Sequence, residues 1–301
     1  MPDTVPDTTT EALRPRRSVL YMPGANERAL TKAEGLPADA LILDLEDAVA
    51  PDAKADARDR VCEAAASDRY GRREVAVRVN GLGTPWHDDD LRAAAAAGPA
   101  AVVVPKIDSA DDVHAIVKAL EAGGAPDHTA VWAMLETPVA MLRAEEIGRA
   151  SERLTVLVMG TNDLAKELQA EHVPGRQPLL TGLGLSLLAA RATGKVILDG
   201  VYNDIKDAEG FEAECVQGRQ MGFDGKTLIH PSQLEPCNRV FAPTDDEVDR
   251  ARRIIEAFEQ AEAEGRGVVT VDGRMVENLH VDQARRTLAV TAAIEALAAE
   301  S

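Results

Sequence analysis

The sequence predicts a (β/α)₈ TIM barrel followed by a C-terminal helical segment. Three observations carry the prediction. Short, continuous apolar runs rich in Val, Ile and Leu recur along the chain, and such runs bounded by turns mark strands buried on both faces. Segments of helical period separate them, which implies βαβ units and a parallel sheet. The runs number eight, the count that closes a barrel of about 250 residues. An open doubly wound sheet is the alternative, but no Gly-rich dinucleotide fingerprint follows the first run.

In chain order the strands are expected at 18–22, 40–45, 74–79, 101–104, 130–135, 154–159, 196–201 and 226–229. Helices are expected at 48–66, 89–97, 109–121, 138–150 and 184–193, with Gly182 and Gly184 read as the start of the last of these. Residues 1–16 are polar and Pro-rich and are expected to be disordered. The barrel is expected over 17–241. Residues 242–301 form a separate segment. In it, a helix at 247–263 is capped by Thr244 or Asp245 and ended by Gly265 and Gly267. A hairpin then turns through Asp272-Gly273, and a final Ala-rich helix covers 281–299. That segment is too small to fold alone, so it must pack on its own barrel or on a neighbouring copy.

The formal net charge of -18 over 301 residues argues against nucleic acid and anionic membrane surfaces as partners, since both reward clustered Lys and Arg. An anionic small molecule stays open, because local bases and a metal can reverse the field inside a cleft. Cys62, Cys215 and Cys237 lack metal or disulfide spacing. The start of the chain has no apolar secretory segment and no run is long enough to span a membrane, so a cytoplasmic location is expected.

Barrels of this type place their chemistry at the C-terminal ends of the strands, and here polar groups cluster there. Met22-Pro23-Gly24-Ala25-Asn26 follows the first strand; Asp44, Glu46 and Asp47 follow the second; Arg78 and Asn80 end the third; Lys106 follows the fourth. Glu136 and Asp163 end adjacent strands five and six. Their carboxylates can converge on one hard cation such as Mg²⁺, which keeps one or two protein carboxylates plus waters and substrate. Helix capping is the competing reading: Asp163 could cap the helix that begins near Leu164, and Thr137 the one after strand five. Glu46 and Asp47 are assigned to metal-bound waters. Arg78 can grip a carboxylate or stabilise an enolate, or form a structural pair with Glu46 or Asp47. Lys106 is as apt to pair with these acids as to act on substrate. His230, before Pro231, reads more readily as a hydrogen-bonding group than as a base. Arg16, Arg17, Arg28 and Lys32 gather around the first strand as a phosphate grip or a solvated face.

The stretches Arg17 to Gly24, Leu43-Asp44-Leu45-Glu46-Asp47 through Pro51, Val77 to Gly81, Leu135 to Pro138, Gly160 to Leu164, Asp199 to Tyr202 and Gly225 to Ser232 span nearly the whole chain. Together they resemble the citrate lyase beta-subunit-like branch of the HpcH/HpaI aldolase superfamily, the acyl-CoA lyases that include malyl-CoA and citramalyl-CoA lyases. The resemblance implies Mg²⁺, or Mn²⁺ in its place, on Glu136 and Asp163, with Arg78 stabilising a thioester enolate. It implies coenzyme A across the barrel mouth near Tyr21, Lys32, Ile229, His230 and Pro231. Arg28 takes the place of an arginine that some relatives carry near Asn26.

The resemblance also makes the C-terminal segment a lid on a neighbouring subunit of a homotrimer or hexamer. The lid's general acid/base is usually Asp. Here Glu277 stands at that position, after Gly273-Arg274-Met275-Val276, and keeps the carboxylate one methylene further out. The implied reaction is reversible Claisen-type cleavage of a malyl-CoA, methylmalyl-CoA or citramalyl-CoA ester to acetyl- or propionyl-CoA and a small 2-oxo acid. A malyl-CoA thioesterase, a free-acid class II aldolase and a carrier-dependent citryl lyase subunit remain as alternatives.

Overall fold

The computed structural model describes residues 14–264 and 269–299; the expected disorder of the first residues and the glycines placed at the end of the 247–263 helix fall outside them. Eight strands form the barrel: β1 (Ser18–Pro23), β2 (Ala40–Asp44), β3 (Glu74–Arg78), β4 (Ala101–Val104), β5 (Ala130–Leu135), β6 (Leu154–Met159), β7 (Val196–Asp199) and β8 (Gly225–Leu228). They pair in sequence order, all parallel, and β8 closes on β1 with Ser18 opposite Lys226. The predicted barrel is therefore the fold. Successive strand residues face opposite sides, and the core divides accordingly. Val19, Ile42, Val103, Trp132 and Val158 fill the barrel, whereas Leu20, Leu43, Val104, Ala133 and Leu157 pack outward against helices. Both faces are buried, which is why the runs are continuously apolar instead of alternating.

The helices are α1 (Glu27–Ala33), α2 (Lys54–Ala65), α3 (His87–Ala97), α4 (Ala110–Ala122), α5 (Pro138–Leu142), α6 (Ala144–Arg149), α7 (Thr161–Glu167), α8 (Leu180–Thr193), α9 (Ala208–Met221) and α10 (Leu234–Phe241). Three differ from expectation. α2 starts six residues later than the periodicity suggests (54 against 48), because Pro51 holds Ala50 extended at φ -63, ψ 150. The stretch 138–150 breaks into α5 and α6 at Arg143 (φ -113, ψ 12), with no Gly or Pro there to announce it. α8 begins four residues early (180 against 184) and contains Gly182, where a Cβ would lie 3.2 Å from both Leu164 Cδ2 and Met141 Sδ. That glycine is a packing residue inside the helix and not its start.

A buried charge cluster ties the last strands together. Asp199 ends β7 with no exposure and accepts from Arg176 Nη1 at 2.6 Å and from Lys226 Nζ at 3.0 Å. Lys226 also reaches Glu214 on α9 at 2.7 Å. Burial opposes the Asp199 charge, but Lys226 and Arg176 outweigh it and hold the carboxyl below its ordinary value. A depressed folded-state value adds stability above the unfolded pKa near 3.9 and loses it as pH falls through the folded one. Asp199→Asn should therefore cost about 3–5 kcal/mol in urea unfolding at neutral pH, the loss expected when one partner of a buried pair is removed. The gap to the native protein should close below about pH 4; a gap independent of pH would show that charge pairing is not the cause.

Two compact units are distinguished: Arg16–Phe241, and one containing the chain from Ala242 on. In the second, α11 (Asp245–Ala263) packs on α12 (Asn278–Ala298). Thr244 caps α11, its Oγ1 accepting from Glu247 N at 3.3 Å while Glu247 Oε2 accepts from Thr244 N at 2.8 Å. The hairpin β9 (Val269–Val271) and β10 (Arg274–Val276) turns through Asp272 and Gly273 at φ 50 and 75, the left-handed pair that a two-residue hairpin needs. Among the described residues no helix is long and apolar enough to cross a membrane.

Candidate active site

Asp44 and Arg78 are register partners at the ends of β2 and β3, so their side chains leave the sheet side by side. Arg78 Nε and Nη2 each donate to Asp44 at 2.7 Å. Nη1 lies 2.7 Å from Glu46 Oε2 and 3.6 Å from the exposed Asp47 carboxylate. The guanidinium sits over the half-buried Tyr21 ring, 4.8 Å from its centroid. Burial works against its charge, yet Asp44, Tyr21 and Glu46 raise its pKa well above the ordinary arginine value. The phenol of Tyr21 is pushed up, first by burial. Asp44 completes its own shell with the backbone N–H groups of Glu46 (2.8 Å) and Ala48 (3.2 Å).

Across the same cleft, about 350 Å³ in volume, stand Glu136 and Asp163. Glu136 follows β5, is 3% exposed, and accepts from the Lys106 N–H at 2.8 Å. Lys106 adopts φ 53, a left-handed backbone that costs a non-glycine residue of order 1–3 kcal/mol and clusters at functional sites. Its ammonium lies 3.5 Å from Asp163 Oδ1. Burial opposes that charge, but Asp163 and Glu136 hold it above the ordinary lysine value. Asp163 lies in the first turn of α7, whose cap position is Gly160, so the capping reading fails for it. Gly160 is required by packing, since a Cβ there would lie 2.4 Å from Glu136 Cβ.

Burial is the main reason that Glu136 is pushed up to about 7, with Glu46 and Asp163 adding like charge. Glu46 is also pushed up to about 7, by burial first; Arg78 opposes this, while Asp47 and Asp44 reinforce it. The donor set fits a hard divalent cation: the Glu136 and Asp163 carboxylates line one cleft and together carry more negative charge than the Lys106 ammonium offsets. Among the described residues no group of three or more His, Cys, Asp or Glu side chains converges as a complete metal shell.

Ile229 also borders the cleft, while His230 and Pro231 do not. His230 caps the turn Pro231–Gln233, its Nδ1 accepting from Ser232 N at 3.2 Å. Arg28 and Lys32 are exposed on α1. Two of the four basic residues around β1 are committed to acids of the barrel. Arg16 and Arg17 precede the strand and bind Glu74 and Asp39 at 2.8 and 2.7 Å, at the N-terminal end of the barrel. Arg28 and Lys32 lie on α1, after the strand. Glu277 stands exposed before α12, its N–H donating to His280 Nδ1 at 3.0 Å. The residues missed by sequence reasoning are Asp44, as the anchor of Arg78, and Lys54. The only signal for Lys54 was a lysine at a helix start, where acids are favoured.

A closed parallel barrel with Arg78 and the carboxylates of Asp44, Asp47, Glu136 and Asp163 around one cleft defines a TIM-barrel enzyme scaffold, and residues 184–293 match a family model described as a C–C bond lyase of the TIM-barrel fold. The chain belongs to the HpcH/HpaI aldolase/citrate lyase family, whose model matches residues 17–231. It is 55% identical over 285 residues to a (3S)-malyl-CoA thioesterase of Cereibacter sphaeroides, covering 95% of this chain and 98% of that one. It is 41% identical over 280 residues to the citrate lyase subunit beta of Escherichia coli, covering 91% and 93%. Among solved structures it is similar to the protein CitE of Mycobacterium tuberculosis in complex with magnesium, acetoacetate and coenzyme A. The TM-score is 0.74 and the identity 30%, over 90% of this chain and 96% of that one.

Proposed function

We propose that this protein is a Mg²⁺-dependent enzyme acting on malyl-CoA or a closely related 3-hydroxyacyl-CoA, and that its reaction is hydrolysis of the thioester. The near-full-length similarity at 55% identity to a (3S)-malyl-CoA thioesterase carries this reading. C–C cleavage to acetyl- or propionyl-CoA and a 2-oxo acid is the second reading, favoured by the citrate lyase beta similarity. Both reactions develop negative charge on the same atom, the thioester oxygen, as a tetrahedral oxyanion or as an enolate. Arg78 is suited to either. Nε and Nη2 each donate to Asp44 while Nη1 pairs with Glu46, and a guanidinium with five N–H groups has donors left for a substrate oxygen. Glu46, with its pKa pushed up to about 7, takes the proton of an attacking water in hydrolysis. A Mg²⁺ ion on Glu136 and Asp163 would supply orientation and polarisation of the substrate's oxygens.

Arg28 and Lys32, exposed on α1, would meet the phosphates of coenzyme A, with Tyr21 and the Ile229–Pro231 segment nearer its thiol end. In a cytoplasmic homotrimer or hexamer, Glu277 of a neighbouring copy would protonate the enolate carbon in C–C cleavage. The test is a product assay: purified protein, Mg²⁺ and (3S)-malyl-CoA, with free thiol and glyoxylate followed together. Thiol release without glyoxylate supports hydrolysis, and glyoxylate with acetyl-CoA selects the second reading. No turnover of the isolated chain on any CoA ester would sink both and leave the carrier-dependent subunit.

A further inference from the structure

We propose that Lys54 is the positioning residue for the Arg78–Glu46 pair: its buried ammonium holds the two peptide carbonyls that flank Glu46 and ties them to Asn80, two residues past Arg78. The inference rests on the reading of Arg78 and Glu46 as the groups that serve the substrate.

Lys54 opens α2 and is 6% exposed. Both facts count against a lysine. A positive charge is unfavourable at a helix N-terminus, and a buried ammonium needs partners for all three of its N–H groups. It has them: Nζ donates to Leu45 O, Glu46 O and Asn80 Oδ1, each at 2.7 Å. The Trp86 ring covers it, with the centroid 5.1 Å away. Burial lowers its pKa, while Asp44, Asp90 and Glu46 support the charge.

The choice of acceptors gives this arrangement its meaning. Leu45 O belongs to the peptide before Glu46 and Glu46 O to the peptide after it, so one ammonium fixes the orientation of both planes. The Glu46 N–H is in turn held by Asp44 Oδ1 at 2.8 Å. With both flanking peptides fixed, the direction of the Glu46 side chain is set, and it delivers its carboxylate to Arg78 at 2.7 Å. The third acceptor couples this loop to the end of β3. Asn80 Nδ2 donates to Leu45 O at 3.0 Å and to Asp90 Oδ2 at 2.5 Å, and Asp90 is itself held by Arg58 at 2.7 Å. Its three N–H groups are all spent on protein acceptors, so the part of Lys54 is to position the pair.

The test compares Lys54→Met, which removes all three donors at similar length, with Lys54→Arg, which keeps the charge but cannot place one nitrogen among three acceptors. Backbone amide exchange by NMR, kcat and KM, and thermal melting are measured on each. In folded Lys54→Met we expect exchange at the Glu46 and Ala48 amides to accelerate about tenfold or more, with β5 and β6 amides unchanged. kcat should fall about tenfold or more and KM should move less than about threefold. Lys54→Arg should fold and show the same local acceleration, so it decides the matter if the methionine variant does not fold. Unchanged exchange at Glu46 in a folded variant overturns the proposal. So does accelerated exchange with kcat within about twofold of native, and so does failure of both variants to fold. If the native enzyme turns over no CoA ester, the functional reading fails, while the exchange measurement still decides whether Lys54 holds the loop.

Discussion

Arg78→Met is expected to lower kcat/KM on the thioester by about 10²–10³-fold, the usual effect of losing one preorganised donor to a developing oxyanion. It should also destabilise the fold by about 3–5 kcal/mol, because removing one side of a buried ion pair leaves the other uncompensated. The uncompensated groups are Asp44, 2% exposed, and Glu46 beside it. The two effects separate in a double variant. Asp44→Asn combined with Arg78→Met removes the more buried of the two orphaned charges, so part of the lost stability should return while activity does not. Chemical denaturation and steady-state kinetics on the same preparations give both readings. A double variant that regains activity with stability would mean that Arg78 serves only the fold.

Glu136→Gln should abolish high-affinity Mg²⁺ binding in calorimetry and lower turnover on the order of 10³-fold, several kcal/mol of lost orientation and charge stabilisation. The amide keeps the shape of the carboxylate and can still accept from the Lys106 N–H, so the cleft should not collapse. Without metal, the variant should melt no lower than the native protein, because it removes one of the like charges that burial already disfavours at this position. A purely structural Glu136 predicts the reverse, lower melting with metal affinity intact.

The barrel is legible in the sequence because its strands are covered on both sides. Each run carries the same signal twice, once for the interior and once for the helix layer, and 101–104, 130–135 and 154–159 coincide with β4, β5 and β6 to the residue. Strand ends are legible for a related reason: polarity returns where the chain leaves the sheet, which brings Arg78, Glu136 and the first turn of α7 with Asp163 to one end. Helix boundaries are less so. The break at Arg143 answers to no local residue, and Gly182 is a small residue demanded by Leu164 and Met141 from other elements.

Which acid partners Arg78 depends on register. A shift of one residue between β2 and β3 would turn Asp44 away from it, and no local pattern encodes that alignment. The same holds for Lys54, whose three acceptors come from a loop and a strand end brought together only by the closed sheet. Arg16 and Arg17 are taken up by Glu74 and Asp39, pairings that composition does not record. Local periodicity and polarity were sufficient for the architecture, for the end of the barrel that carries the cleft, and for the Glu136–Asp163 and Arg78 placements. Pairing, anchoring and the shifted carboxyl groups came from tertiary packing, since burial and the approach of like charges exist only once distant strand ends share one cleft.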